Sequence, residues 1–135
     1  MRFLNIENGI VINHDGDLPA RSGMGSSSAF TVGLLNALHQ LRGETISPIR
    51  LSEEATRVEQ DMVKDNVGNQ DQIACAVGGL NRIDFHVNGT HDCYPLNISS
   101  GRKKELESHL MMVLLDSPEQ LVKWRELIVL ITIHI

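Results

Sequence analysis

The stretch that most constrains this chain is Asp17-Leu18-Pro19-Ala20-Arg21-Ser22-Gly23-Met24-Gly25-Ser26-Ser27-Ser28-Ala29-Phe30, a glycine-punctuated loop that runs straight into an apolar-periodic segment. Gly23 and Gly25 admit positive φ, so consecutive backbone N–H groups can turn inward around an anion. A helix opening near Ser26 adds unpaired N–H donors and the positive end of its dipole. Such a loop suits the phosphates of a nucleotide. It is not a Walker loop, because no lysine follows Gly25, and the dinucleotide fingerprint would need a glycine where Ser28 stands. A plain helix cap after a Gly/Ser turn uses the same residue types. The loop alone leaves both readings open.

The segments around the loop read as alternating strands and helices. Residues 2–6 and 9–14 carry β-leaning runs broken by Glu7-Asn8-Gly9, which predicts a strand pair meeting at a tight turn. His14 is a lone histidine at the surface or an edge. From Ser26 to about Leu41 the spacing of Phe30, Leu34, Leu38 and Leu41, with Leu35 beside them, predicts a helix with one buried stripe. Gly43 closes it, and Ser47-Pro48 reads as the cap and first residue of a second helix running to about Lys64. Leu51, Ala55, Val58 and Met62 would make the inner face of that helix. A polar loop from Asp65 leads to a short helix at Gln72–Val77, with Cys75 packed inside. Residues 80–87 and 92–98 alternate around Asn88-Gly89 and predict a hairpin with a two-residue turn. Residues 101–109 are helix-compatible, and Leu110–Leu115 is a candidate buried strand. Ser117-Pro118-Glu119 could open another helix, and the run from Leu127 to Ile135 is almost wholly aliphatic, suited to burial or, if exposed, to aggregation.

Two acids stand out from the ordinary surface charges. Glu59 falls at the edge of the second helix's apolar stripe, where a carboxylate needs a cation, hydrogen-bond donors or a metal. Snorkelling to water or pairing with an arginine is the plainer account. Asp71 stands at or near the start of the short helix. There it can cap the helix, or accept the proton of a hydroxyl substrate.

The totals bound what such a site can serve. At 135 residues the chain is one domain at most, and 41% hydrophobic with 21% charged residues is the ordinary globular range. A net charge of −5 argues against a nucleic-acid or anionic-membrane surface, so a phosphate must be held by a local device. Cys75 and Cys93 have no metal spacing, which predicts a reduced, cytoplasmic setting. No basic-then-apolar leader and no membrane-spanning run is expected.

The segment Pro19-x-x-x-Gly23-Met24-Gly25-Ser26-Ser27-Ser28-Ala29 resembles the ATP-binding motif of the GHMP kinases, which act on galactose, homoserine, mevalonate and phosphomevalonate. That motif usually reads Pro-x-x-x-Gly-Leu-Gly-Ser-Ser-Ala, so Met24 and Ser28 are mild departures. The resemblance covers roughly residues 10–115. Within it, Gly68-Asn69-Gln70-Asp71-Gln72 and Gly78-Gly79-Leu80-Asn81-Arg82-Ile83-Asp84-Phe85 look most like the bacterial branch acting on D-glycero-D-manno-heptose 7-phosphate. The resemblance implies an α+β fold like the GHMP-kinase N-terminal domain, a mixed β-sheet with helices packed on one side. It implies ATP and Mg2+ as cofactors and a sugar or sugar phosphate as substrate. Pro19, Arg21, Ser22, Gly23, Met24, Gly25, Ser26, Ser27 and Ser28 would hold the nucleotide. Ser27, with Ser26 as the alternative, and Glu59 would hold magnesium, and Asp71 would be catalytic. From Leu115-Asp116-Ser117-Pro118 the chain leaves the family pattern. The expected organisation is therefore a partial kinase domain over residues 1–116 and a divergent tail over 117–135, the central part of a kinase that need not be active alone. A homo-oligomer is compatible with this reading. A non-catalytic nucleotide- or phosphosugar-binding remnant, or an interaction module using the apolar tail, is the alternative.

Overall fold

Three helices packed on one another form the centre of the computed structural model, which describes residues 2–4, 6, 9–16 and 24–111. Helix α1 spans Ser26–Leu41, α2 Pro48–Arg57 and α3 Gln70–Val77. Their facing sides bury Val32, Leu35, Leu38, Leu51 and Ala55, with Leu4 from the N-terminal segment, while Ile73 on α3 is fully enclosed. The sequence supplies the ends of these helices. Gly43 takes φ +73°, and the N–H groups of Gly43 and Glu44 bond back to the carbonyls of Gln40 and His39, closing α1 in a Schellman arrangement. Ser47 Oγ accepts from the Arg50 N–H at 3.3 Å and Pro48 begins α2, the pairing expected from the sequence.

Periodicity placed the helices correctly and rotated α1. Its buried face is Ser28, Val32, Leu35, Leu38 and His39, whereas Phe30 and Leu41 of the expected stripe are exposed. The i, i+4, i+7, i+11 row through Ser28 faces α2 and α3, and polar Ser28 and His39 are buried in it because each has a partner across the interface. In the second helix, α2 gives way after Arg57 to one π-helical turn, Val58–Val63, ended by Lys64 at φ 60°. The wider turn alters the register, so Glu59 faces inward and Met62 outward.

The expected first strand pair is absent from the described residues: Arg2–Leu4 is a 3₁₀ turn and 9–16 has no regular structure. Leu4 instead packs into the helical core, and its carbonyl accepts from Arg42 Nη1 at 2.9 Å. The sheet among the described residues is consequently not mixed. It is the antiparallel pair β1 (Asn81–Phe85) and β2 (His91–Pro95), with Ile83 opposite Cys93. The hairpin turn is longer than two residues. His86 accepts from the Gly89 N–H, Asn88 Oδ1 accepts from the Thr90 N–H, and Gly89 sits at φ +84°. Helices with a small antiparallel sheet keep the chain in the α+β class.

The chain divides into two compact units, Met1–Leu96 and Asn97–Ile135. In the second, Ser99 caps α4 (Ser100–Ser108), whose described side chains are all exposed. Leu110 and Met111 are exposed and in no strand, contrary to expectation. Residues 112–135, with the proposed strand end, helix and apolar tail, lie outside the described residues. Among the described residues no helix is long and apolar enough to cross a membrane.

Candidate functional site

Glu59 is the centre of a polar cluster at the N-terminal end of α1. The π turn points its side chain into the interface, where it is 2% exposed. Ser27 Oγ lies 3.2 Å from Oε1 and Ser28 Oγ donates to Oε2 at 2.9 Å. Thr31 Oγ1 stands 3.0 Å from Oε1 and 3.1 Å from the Ser27 carbonyl, sharing its one proton between them. Gln72 Nε2, from α3, donates to Oε2. Among the described residues no arginine, lysine or histidine pairs with Glu59, and the side chain does not reach water. The snorkelling account does not hold for this residue, and no arginine among the described residues pairs with it. Among the described residues, what holds the carboxylate is a set of neutral donors, which satisfy its oxygens.

Asp71 approaches the same end of α1 from the other side. It is the second residue of α3 and exposed, and a Cβ at Gly25 would stand 3.3 Å from its Cγ and Oδ2. The cap position of α3 belongs to Asn69, so the capping account of Asp71 does not hold. Gly25 is itself the N-cap of α1 at φ 70°, without a side-chain cap for the first turn. Its missing side chain and its left-handed backbone are thus both used: one admits Asp71, the other turns the chain into the helix. Cys75, one turn after Asp71, is exposed and not the packed residue expected. Partial desolvation, with the Asp71 and Glu59 charges, pushes its thiol up, which disfavours a thiolate.

Of the residues singled out in the sequence, Gly25, Ser27, Ser28, Glu59 and Asp71 converge here. Ser26 does not. It lines a cleft of about 520 Å³ with Ile12, His14, Phe30 and Leu34, where the His14 and Phe30 rings meet edge to face at 4.6 Å. Met24 is partly exposed, and Pro19, Arg21, Ser22 and Gly23 lie outside the described residues. Thr31 and Gln72 were not anticipated, although each carries a signal: Thr31 lies one turn after Ser27, and Gln72 directly follows Asp71.

The donor set fits a hard divalent cation. Two oxygens bound at right angles to one magnesium ion, each at about 2.1 Å, stand about 3.0 Å apart, close to the 3.2 Å between Glu59 Oε1 and Ser27 Oγ. Among the described residues no three His, Cys, Asp or Glu gather into a cage. Magnesium commonly keeps waters and phosphate oxygens as its other ligands, so a hydroxyl and a carboxylate suffice as the protein's share.

Sequence comparison gives the class of protein. The family model described as GHMP kinases N terminal domain matches residues 1–79, more than half of the chain, and the chain belongs to the GHMP kinase family. Two sugar kinases are among its relatives. It is 29% identical over 96 residues to the D-glycero-alpha-D-manno-heptose 7-phosphate kinase of Campylobacter jejuni subsp. jejuni serotype O:2, covering 71% of this chain and 28% of that protein. It is 36% identical over 70 residues to the galactokinase of Pyrococcus furiosus, covering 52% of this chain and 20% of that protein. The matches thus span less than a third of either relative's length. No solved structure matches.

Proposed function

We propose that this chain carries the phosphate-gripping and acid-bearing part of an ATP-dependent sugar kinase, with a heptose 7-phosphate as the favoured acceptor. The observation that carries the reading is the convergence of Glu59, buried among neutral donors with no cationic partner among the described residues, and Asp71, seated against Gly25, on one end of α1. Backbone N–H groups from Gly23 through Ser28 hold the triphosphate, and Pro19, Arg21, Ser22 and Met24 belong to the same nucleotide-binding set. Ser27 and Glu59 hold Mg2+, which supplies charge neutralisation on the phosphates. Asp71 accepts the proton of the attacking sugar hydroxyl. Its exposure leaves room for a substrate. Residues 1–116 constitute the kinase part and 117–135 a divergent tail, in a cytoplasmic protein.

The test is magnesium-dependent ADP release across a panel of sugars and sugar phosphates. Where this chain turns over, the heptose phosphate should be the best acceptor, and Asp71→Asn should lower turnover on the order of 10²–10⁴-fold. Full turnover in that variant would remove Asp71 from the mechanism. One observation favours a second reading, a non-catalytic nucleotide- or phosphosugar-binding remnant. The donors already around Glu59 satisfy its oxygens without any cation. Nucleotide binding without turnover on any sugar would select it.

A further inference from the structure

The two oxygens of Glu59 are not equivalent. Oε2 faces Ser28 and Gln72, which are 3% and 0% exposed, whereas Oε1 faces Ser27 and Thr31, which are more open. Gln72 is an expensive way to fill this place. Its Nε2 serves Glu59, yet its Oε1 is buried with no partner among the described residues, a cost that an apolar side chain of similar shape avoids. Gln72 also adjoins Asp71 on α3, so consecutive residues reach Glu59 and Gly25.

Resting on the magnesium reading above, we propose that Gln72 is a positioning residue: with Ser28 it pins Oε2 of Glu59, so that Oε1 is the oxygen turned to a cation beside Ser27. The same residue ties the placement of Glu59 to that of Asp71. An apolar replacement would leave Oε2 held by Ser28 alone, loosening the orientation that turns Oε1 to Ser27. Partners that orient a metal ligand in this way are commonly worth 10- to 100-fold in metal affinity.

The test uses the full chain, ADP and Mn2+ as the probe, with free Mn2+ followed by electron paramagnetic resonance. Glu59→Gln should abolish the protein-dependent loss of signal. Gln72→Met should weaken Mn2+ binding about tenfold while metal-free ADP affinity, measured in EDTA, stays within about twofold. Ser28→Ala, which removes the other anchor on Oε2, should weaken Mn2+ similarly, and it carries the test should Gln72→Met fail to fold. Unchanged Mn2+ affinity in Gln72→Met, or in Ser28→Ala if that variant must stand in, overturns the proposal alone when Glu59→Gln has lost binding. No protein-bound Mn2+ in the parent chain, or none lost in Glu59→Gln, overturns the magnesium reading together with it.

Discussion

Helix α1 carries a buried cluster around a titratable side chain at each end, and the two are built on opposite terms. Its sixteen residues put the ends about 24 Å apart. At the N-terminal end Glu59 is received by hydroxyls and an amide. At the C-terminal end His39, 4% exposed, stands between two acids, with Nδ1 2.9 Å from Glu44 Oε2 and Nε2 2.7 Å from Glu54 Oε2. A neutral imidazole has one N–H and cannot donate to both, so this geometry needs the imidazolium. Burial works against that charge, but the hydrogen bonds and charges of Glu54 and Glu44 outweigh it and raise the pKa above the ordinary 6.5. Arg42 pairs with Glu44 at 2.7 Å and Arg50 with Glu54 at 3.1 Å, so the cluster closes on itself. The helix dipole favours both arrangements, an anion at the start and a cation in the last turn. The difference lies in the partners. In the His39 cluster each acid faces two cations and the cluster clamps α1 to α2, whereas among the described residues Glu59 meets only neutral donors.

The comparison breaks first on stability. Glu59→Leu strands the Gln72 amide and the Ser28 hydroxyl in the interface, and should cost about 2–4 kcal/mol in urea unfolding. His39→Leu should cost less, about 2 kcal/mol, because Glu44 is 42% exposed and can turn to water. A larger loss at His39 would reverse the ranking. Gly25→Ala should cost about 1–2 kcal/mol, since φ is +70° and the new Cβ would meet Asp71 at 3.3 Å. Wild-type stability in that variant would mean that Asp71 does not rest on the loop.

The smallest effect is a slope with pH. His39's contribution is fully present below its ordinary value of 6.5 and is lost as pH rises through its raised folded value. Glu44 behaves oppositely. The hydrogen bond from His39 lowers its pKa, so its contribution is present above 4.5 and lost as pH falls. The thermal midpoint should therefore decline on the alkaline side of 6.5 in the parent, and more shallowly in His39→Leu.

Much of the scaffold was legible because it is written in local chemistry. The bounds of α1 and the start of α2 follow from Gly25, Gly43, Ser47 and Pro48, whose effects act within one turn. The faces were less legible. An apolar stripe through Phe30 and Leu41 looks buried by spacing, yet the interface took the row with Ser28 and His39, whose partners lie 31 and 15 residues away. The π turn at Val58–Val63 breaks the 3.6-residue period, so Met62 was assigned inward and Glu59 only to an edge. Glu59 and Asp71 stood out by their places on the helices, and the roles expected of them came from a family pattern. Gln72 and Thr31 escaped because their roles exist only once three helices meet.

The account rests on Glu59 keeping a charge that a nucleotide-bound metal can use. Calorimetric titration of the parent chain and Glu59→Gln with ATP, in magnesium and in EDTA, addresses this directly. The parent should bind the magnesium complex more tightly than the free nucleotide, and the advantage should vanish in Glu59→Gln. An equal advantage for magnesium in both proteins would contradict the account.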